Sequence, residues 1–131
     1  MTDNEMRDML IDYMGRGFLE NITALLRQEP DLGRFIPDMI SQENLGVRLG
    51  TTALVEELAV ERRDVLRHAV AGLIVLLKSD NPTVRGDAAS LLGTIGEVSA
   101  KGPLKAMLQD VNAAVREVVQ VALEEIDRTG R

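Results

Sequence analysis

The chain has 131 residues, of which 45% are hydrophobic and 27% charged, and its formal net charge at pH 7 is −6. This apolar content suffices for one core, so we expect a single domain over residues 1–131. The negative charge disfavours a nucleic-acid partner, because phosphates would repel it. No apolar run of about 18 residues predicts a membrane span. An acidic start and the absence of cysteine make the cytoplasm the expected compartment.

Three helices are expected in the first 40 residues. Thr2, with Glu5 three residues later, has the form of a capping box at the start of the first helix. The second helix is expected over about 18–27, because Pro30 stops it, and the third over 31–40. Apolar residues recur here at three- and four-residue spacing, which predicts helices rather than strands.

The phrase N-x-x-V-R then occurs three times, at 44–48, 81–85 and 112–116. Apolar positions before and after each copy also align, so we divide this part of the chain into repeats at 41–78, 79–109 and 110–131, the last incomplete. Helices are predicted near 45–61, 64–78, 82–95, 99–109 and 113–127. A repeated helix pair predicts an all-α fold, an α-α superhelix or solenoid of about eight antiparallel helices.

The repeated Asn and Arg each allow two interpretations. Asn44, Asn81 and Asn112 suit N-caps, since an amide oxygen can accept from free backbone N–H groups in the first turn; an amide ladder that contacts a bound chain is the alternative. Arg48, Arg85 and Arg116 oppose the helix dipole. We therefore expect them to bond carboxylates or carbonyls of the linkers between repeats, with substrate binding as the alternative.

Residues 80–96 (Asp-Asn-Pro-Thr-Val-Arg-Gly-Asp-Ala-Ala-Ser-Leu-Leu-Gly-Thr-Ile-Gly) and 102–110 (Gly-Pro-Leu-Lys-Ala-Met-Leu-Gln-Asp) carry a family resemblance. They resemble the short HEAT-like repeat first associated with phycobilisome bilin lyases. The match covers 79–126 best, 36–78 less well, and earlier residues weakly, so residues 1–40 look like a degenerate N-terminal repeat and cap. The resemblance implies a helical scaffold that binds other macromolecules.

Enzymatic interpretations find little support in the residues. Helical-repeat deoxyhypusine hydroxylases bind iron through His-Glu dipeptides, whereas the one histidine here, His68, precedes Ala69. We predict no catalytic, cofactor-binding or metal-binding residue, and no enzymatic activity. The alternative that stays open is a lyase-like or chaperone-like accessory subunit that acts on a chromophore or a modified protein; a co-purifying absorbing ligand would favour it.

One face of the second helices has the composition of a protein-binding surface, with an apolar centre and charged flanks. The centre is Ile74 and Val75. The predicted partner-binding residues are Arg34, Asp38, Ala71, Ile74, Val75, Lys78 and Lys105. The alternative is that this helix is enclosed by both neighbours. We therefore predict a protein–protein interaction scaffold or adaptor that uses its inner-helix face.

The last helix carries two additional valines. Val118 and Val121 occupy the register of Asp87 and Ser90 in the preceding repeat, and no helix follows before the chain stops. A terminal repeat usually turns polar outward. We therefore expect this face to be covered by a second copy across a two-fold axis, or else by a neighbouring helix of the same chain.

Overall fold

A computed structural model describes residues 1–130, and these residues are mostly helical. The α-helices are α1 (Asp3–Gly15), α2 (Leu19–Gln28), α3 (Ile36–Ile40), α4 (Leu45–Glu61), α5 (Arg63–Leu76), α6 (Pro82–Ile95), α7 (Lys101–Ala106) and α8 (Ala113–Thr129). Shorter 3-10 helices span Pro30–Phe35, Val98–Ala100 and Met107–Gln109. No strand occurs in this described part, and the predicted all-α fold of about eight helices is confirmed. Arg131, the end of the predicted repeat 110–131, lies outside the described residues.

Two predicted helices are interrupted. The segments expected as continuous helices over 31–40 and 99–109 instead combine 3-10 turns with the short helices α3 and α7. Pro37 and Pro103 account for the 3-10 turns that precede α3 and α7, because a proline has no N–H to donate to the carbonyl four residues earlier. The N–H of Ile36 bonds the carbonyl of Gly33, three residues back, as in a 3-10 helix.

The predicted helix caps are confirmed. Thr2 and Glu5 form a complete capping box, with bonds of 3.0 and 3.1 Å. The side chains of Asn44, Asn81 and Asn112 accept backbone N–H bonds of 3.1, 2.9 and 3.1 Å; the donors, in the same order, are Val47, Thr83 and Val115. Each repeat therefore begins its first helix with a local N-cap hydrogen bond, which comes from the third residue after Asn44 and Asn112 and from the second residue after Asn81.

The chain forms two compact units, Met1–Ala69 and the residues from Val70 onward. This division does not test whether residues 1–131 form one domain, which stays a prediction. The first unit buries Leu10, Ile22, Leu26, Ile36, Met39, Ile40, Leu54 and Leu58. Its 3-10 segment touches the backbone of α5: a Cβ atom on Gly33 would lie 2.1 Å from the carbonyl oxygen of Val65.

The second unit is built around the pairing of α6 with α8. Leu92, Ile95, Val119 and Ile126 are buried. The two helices approach so closely that a Cβ atom on Gly93 would lie 2.7 Å from the Cα of Ala122. Gly96 ends α6 in the left-handed conformation, with φ of 76°, and donates its N–H to the carbonyl of Leu92.

Candidate functional site

Arg85 connects two linkers of the second unit. Its guanidinium donates two bonds to the carboxylate of Asp110, of 2.9 and 3.1 Å, and one of 2.9 Å to the carbonyl of Ser79. The two charged side chains are only 12% and 7% exposed. These hydrogen bonds from Arg85, together with one from the N–H of Asn112, hold the pKa of Asp110 below its usual value.

Arg116, the third repeated arginine, makes a different linker contact from Arg85. Arg116 donates a bond of 2.6 Å to the carbonyl of Asp110, in the linker that precedes its own helix. The partner of Arg85 is the following linker's Asp110 rather than Asp80, the acid that precedes it. The predicted role in bonding linkers is therefore confirmed for Arg85 and Arg116, and for Arg48 it stays a prediction.

The predicted partner-binding residues of the second unit are largely exposed. Val75 is 70% exposed, Ile74 is half-buried, and Ala71 and Lys78 are exposed. Ile74, Val75 and Lys78 line one hollow on the protein surface. The helix α5 ends at Leu76, so Lys78 lies in the following turn rather than in the helix predicted to reach residue 78. Because Val75 is so exposed, neighbouring helices do not enclose this side chain.

Lys105 does not line this hollow. It lies on α7, exposed, in the neighbourhood of Asp127 on α8. The ammonium group of Lys101 lies 2.6 Å from the carboxylate of Asp127. That contact, with a smaller attraction from Lys105, lowers the pKa of Asp127. The structure thus brings together Ile74, Val75 and Lys78. Lys105 lies apart from them, near the carboxylate of Asp127.

Arg34 belongs to the first unit and already has several contacts there. Its guanidinium pairs with the carboxylates of Asp3 and Asp31 at 3.1 and 3.0 Å. It also lies 4.5 Å from the centre of the Phe35 ring, within the range of a cation–π interaction. A partner that binds Arg34 would compete with these contacts.

Asp38, also in the first unit, is half-buried. Burial raises the pKa of its carboxyl group, and the positive charge of Arg7 offsets part of this effect. Its backbone carbonyl accepts bonds from Ser41 and Gln42. Asp38 is therefore a partly desolvated acid rather than a freely exposed one.

Val118 and Val121 lie in a groove between α6 and α8. Val121 is 57% exposed and Val118 is half-buried, so no helix within residues 1–130 covers Val121. The α6–α8 groove consists of two hollows that share Ser90 and Val118. Dimerisation through these valines stays a prediction.

Sequence reasoning found the valines of this groove but missed its other side. Gly86, Ser90 and Gly93 of α6 line it. Their spacing of four and three residues puts these small residues on one face of α6, and that spacing is the signal that could have revealed the groove.

Among residues 1–130, no group of three or more His, Cys, Asp or Glu side chains is placed to hold a metal ion. Within the same part of the chain, no helix has the length and apolar character needed to cross a membrane.

Comparisons with known proteins agree with the repeat pattern. A family model described as HEAT repeats matches residues 51–124. The crystal structure of an engineered protein is similar at a TM-score of 0.59 and 22% identity, over 98% of this chain and 59% of that one, which supports the fold alone. The chain thus spans about three fifths of that protein's length. No curated protein matches.

The family match covers more than half of the chain and includes all of α6 and parts of α4 and α8, the three capped helices that begin with the repeated motif. The predicted resemblance is confirmed. This chain belongs to the HEAT repeat family.

Proposed function

We propose that this protein is a non-enzymatic scaffold or adaptor that binds another protein through α5. HEAT repeats generally mediate contacts between proteins and are typically non-catalytic. The proposed contact surface, here called the α5 face, consists of Ala71, Ile74, Val75 and Lys78. The exposure of Val75 is the observation that carries this proposal.

The α5 face has the arrangement of a protein interface, with apolar residues next to a charged one. A single exposed valine is common on protein surfaces. Here Val75 adjoins the half-buried Ile74, and the charged Lys78 stands in the next turn. Covering Val75 by a partner would contribute about 1 kcal/mol, while the lysine would set orientation through charge.

Three predicted residues outside the α5 face are proposed as secondary contacts. Lys105 is exposed, and its positive charge, like that of Lys101, attracts the carboxylate of Asp127. Asp38 would gain a cationic partner at little further desolvation cost, because it is already half-buried. Arg34 is expected to contribute least, since its guanidinium is already paired within its own unit.

The test compares two valine substitutions of equal chemistry. Val75→Asp places a charge in the α5 face, and Val111→Asp places one at a 93% exposed position elsewhere. In quantitative affinity capture from native extract, we expect Val75→Asp to lose the proteins that wild type and Val111→Asp both retain. Thermal melting of both variants should match wild type. Retention of the same proteins by Val75→Asp would refute the α5 face.

A further inference from the structure

We propose that the α6–α8 groove binds a short, basic amphipathic helix of another protein. The partner chemistry is a helix of about three turns that carries Leu, Ile or Val on one face, flanked by Lys or Arg. This groove is formed by α6 and α8, whereas the α5 face belongs to α5 and the turn after it. The proposal for the groove therefore does not depend on the proposal for the α5 face.

The shape of the groove fits a helix of that length. Along α6 the lining runs from Pro82 to Thr94, which corresponds to roughly 18 Å at the rise of an α-helix. Gly86 has no side chain to fill it. A Cβ atom on Gly86 would have its nearest neighbour, in Val115, at 4.0 Å, so the space above this residue is open.

The apolar anchor is provided by α8. Val118 and Val121 are three residues apart and therefore lie on the same face of this helix. Both line the groove, and Val121 is 57% exposed. Amphipathic helices bind such grooves through apolar residues at three- and four-residue spacing, which matches the spacing of these valines.

The charge of the groove selects a basic partner. The charged residues that line it are Asp87, Glu117 and Glu125, all acids, and none of the described lining residues is Lys or Arg. Arg128 pairs with Glu125 at 2.5 Å, from outside the lining. In a two-fold dimer of this groove, the same acids would approach their own copies and repel. A segment with Lys or Arg beside its apolar face is complementary to the groove, whereas a second copy of it is not.

The probe is a fluorescein-labelled 12-residue peptide of Leu, Lys and Ala with leucine on one helical face, about the length of the groove. One control peptide has the same composition in scrambled order, and another has Glu in place of every Lys. With the full chain in fluorescence anisotropy titrations, we expect the amphipathic peptide to bind at least about tenfold more tightly than either control. Equal binding of the scrambled peptide would overturn the proposal.

One pair of variants separates the charge of the groove from the overall charge of the protein. Glu117→Lys reverses an acid that lines the groove, and Glu124→Lys makes the same change at an exposed position of α8 outside it. We expect Glu117→Lys to weaken binding by about tenfold and Glu124→Lys to weaken it far less. Equal losses would overturn the proposal, since they would indicate attraction to the net charge alone.

Gly86→Leu fills the groove at a helical position where a side chain has room. It should abolish peptide binding while the melting temperature stays equal to that of wild type or rises, because leucine favours the helix more than glycine does. Val75→Asp, in the α5 face, should bind the peptide as wild type does. Unchanged binding by Gly86→Leu would overturn the proposal.

Sedimentation equilibrium tests whether a second copy of this chain, rather than a basic helix, occupies the groove. We expect wild type without peptide to be monomeric at tens of micromolar. A wild-type dimer that Val121→Asp converts to monomer would assign the groove to a second copy of this chain and overturn the proposal of a basic partner helix.

Discussion

Arg85 shows how one side chain can join neighbouring repeats. Three of its N–H groups are used inside the protein, two by Asp110 and one by the carbonyl of Ser79. A side chain that is 12% exposed and already uses three of its N–H donors within the protein has little capacity left for a ligand. These contacts support the structural interpretation of the repeated arginine at this position over substrate binding.

Replacing Arg85 by Lys tests this role. Lysine retains the charge but cannot form two parallel bonds to one carboxylate while also bonding Ser79. We expect the melting temperature to fall by roughly 5 °C or more, because the carboxylate of Asp110 is largely buried. Arg116→Lys is the matched control: its one bond, to the carbonyl of Asp110, is exposed, and its effect should be within about 1–2 °C. Equal effects in calorimetry would contradict a special role for Arg85.

At the scale of helices, α6 and α8 pack closely at a position where glycine leaves room for the backbone of α8. The Cα of Ala122 occupies the space into which a side chain at position 93 would point. Gly86, on the same helix, has open space instead. Glycine is thus required at one of these positions for packing, while at the other it leaves the groove unfilled.

A pair of alanine substitutions distinguishes the two glycines. Gly93→Ala should destabilise the protein by about 2 kcal/mol, because its methyl group would overlap the backbone of α8. Gly86→Ala should stabilise it by about 0.5–1 kcal/mol, through the higher helix propensity of alanine. Urea denaturation of both variants measures the difference. A stabilising Gly93→Ala would show that the two helices can separate at no cost.

For the whole molecule, most shifted carboxyl groups favour the folded state at neutral pH. Hydrogen bonds from Thr2, Arg85 and Lys101 lower the pKa of Glu5, Asp110 and Asp127, respectively. The guanidinium of Arg62 lowers the pKa of Asp64 to about 2. A pKa that is lower in the folded than in the unfolded state contributes stability above the unfolded value, and this contribution disappears as pH falls through the folded value.

Asp38 has the opposite sign, since its folded pKa is raised by burial. Its contribution is present below the unfolded pKa and is lost as pH rises through the folded value. The four carboxyl groups with lowered pKa outnumber Asp38, so we expect the wild-type melting temperature to decrease between about pH 4 and pH 2. Asp110→Asn should melt below wild type at pH 7, and Asp38→Asn above it.

Both differences should become smaller as pH falls below about 4, because the carboxyl groups of wild type become protonated on acidification. Melting curves by circular dichroism at several pH values provide this measurement. A destabilising effect of Asp38→Asn at pH 7 would contradict the direction given for its pKa.

The sequence by itself determined where most helices begin and which family the chain belongs to. An N-cap bond joins residues two or three positions apart, as between Asn112 and Val115, so its signature is local and repeats with the motif. The interruptions at Pro37 and Pro103 have a local cause too, although the predicted helices were drawn through both prolines.

Only the tertiary structure decided which surfaces are open and which distant residues meet. Arg85 and Asp110 are 25 residues apart, and an acid nearer in sequence, Asp80, was an equally reasonable partner. The exposure of Val75 and the groove beside Val121 depend on how closely helices from different repeats approach. Such distances follow from the packing of many side chains together, which no local pattern encodes.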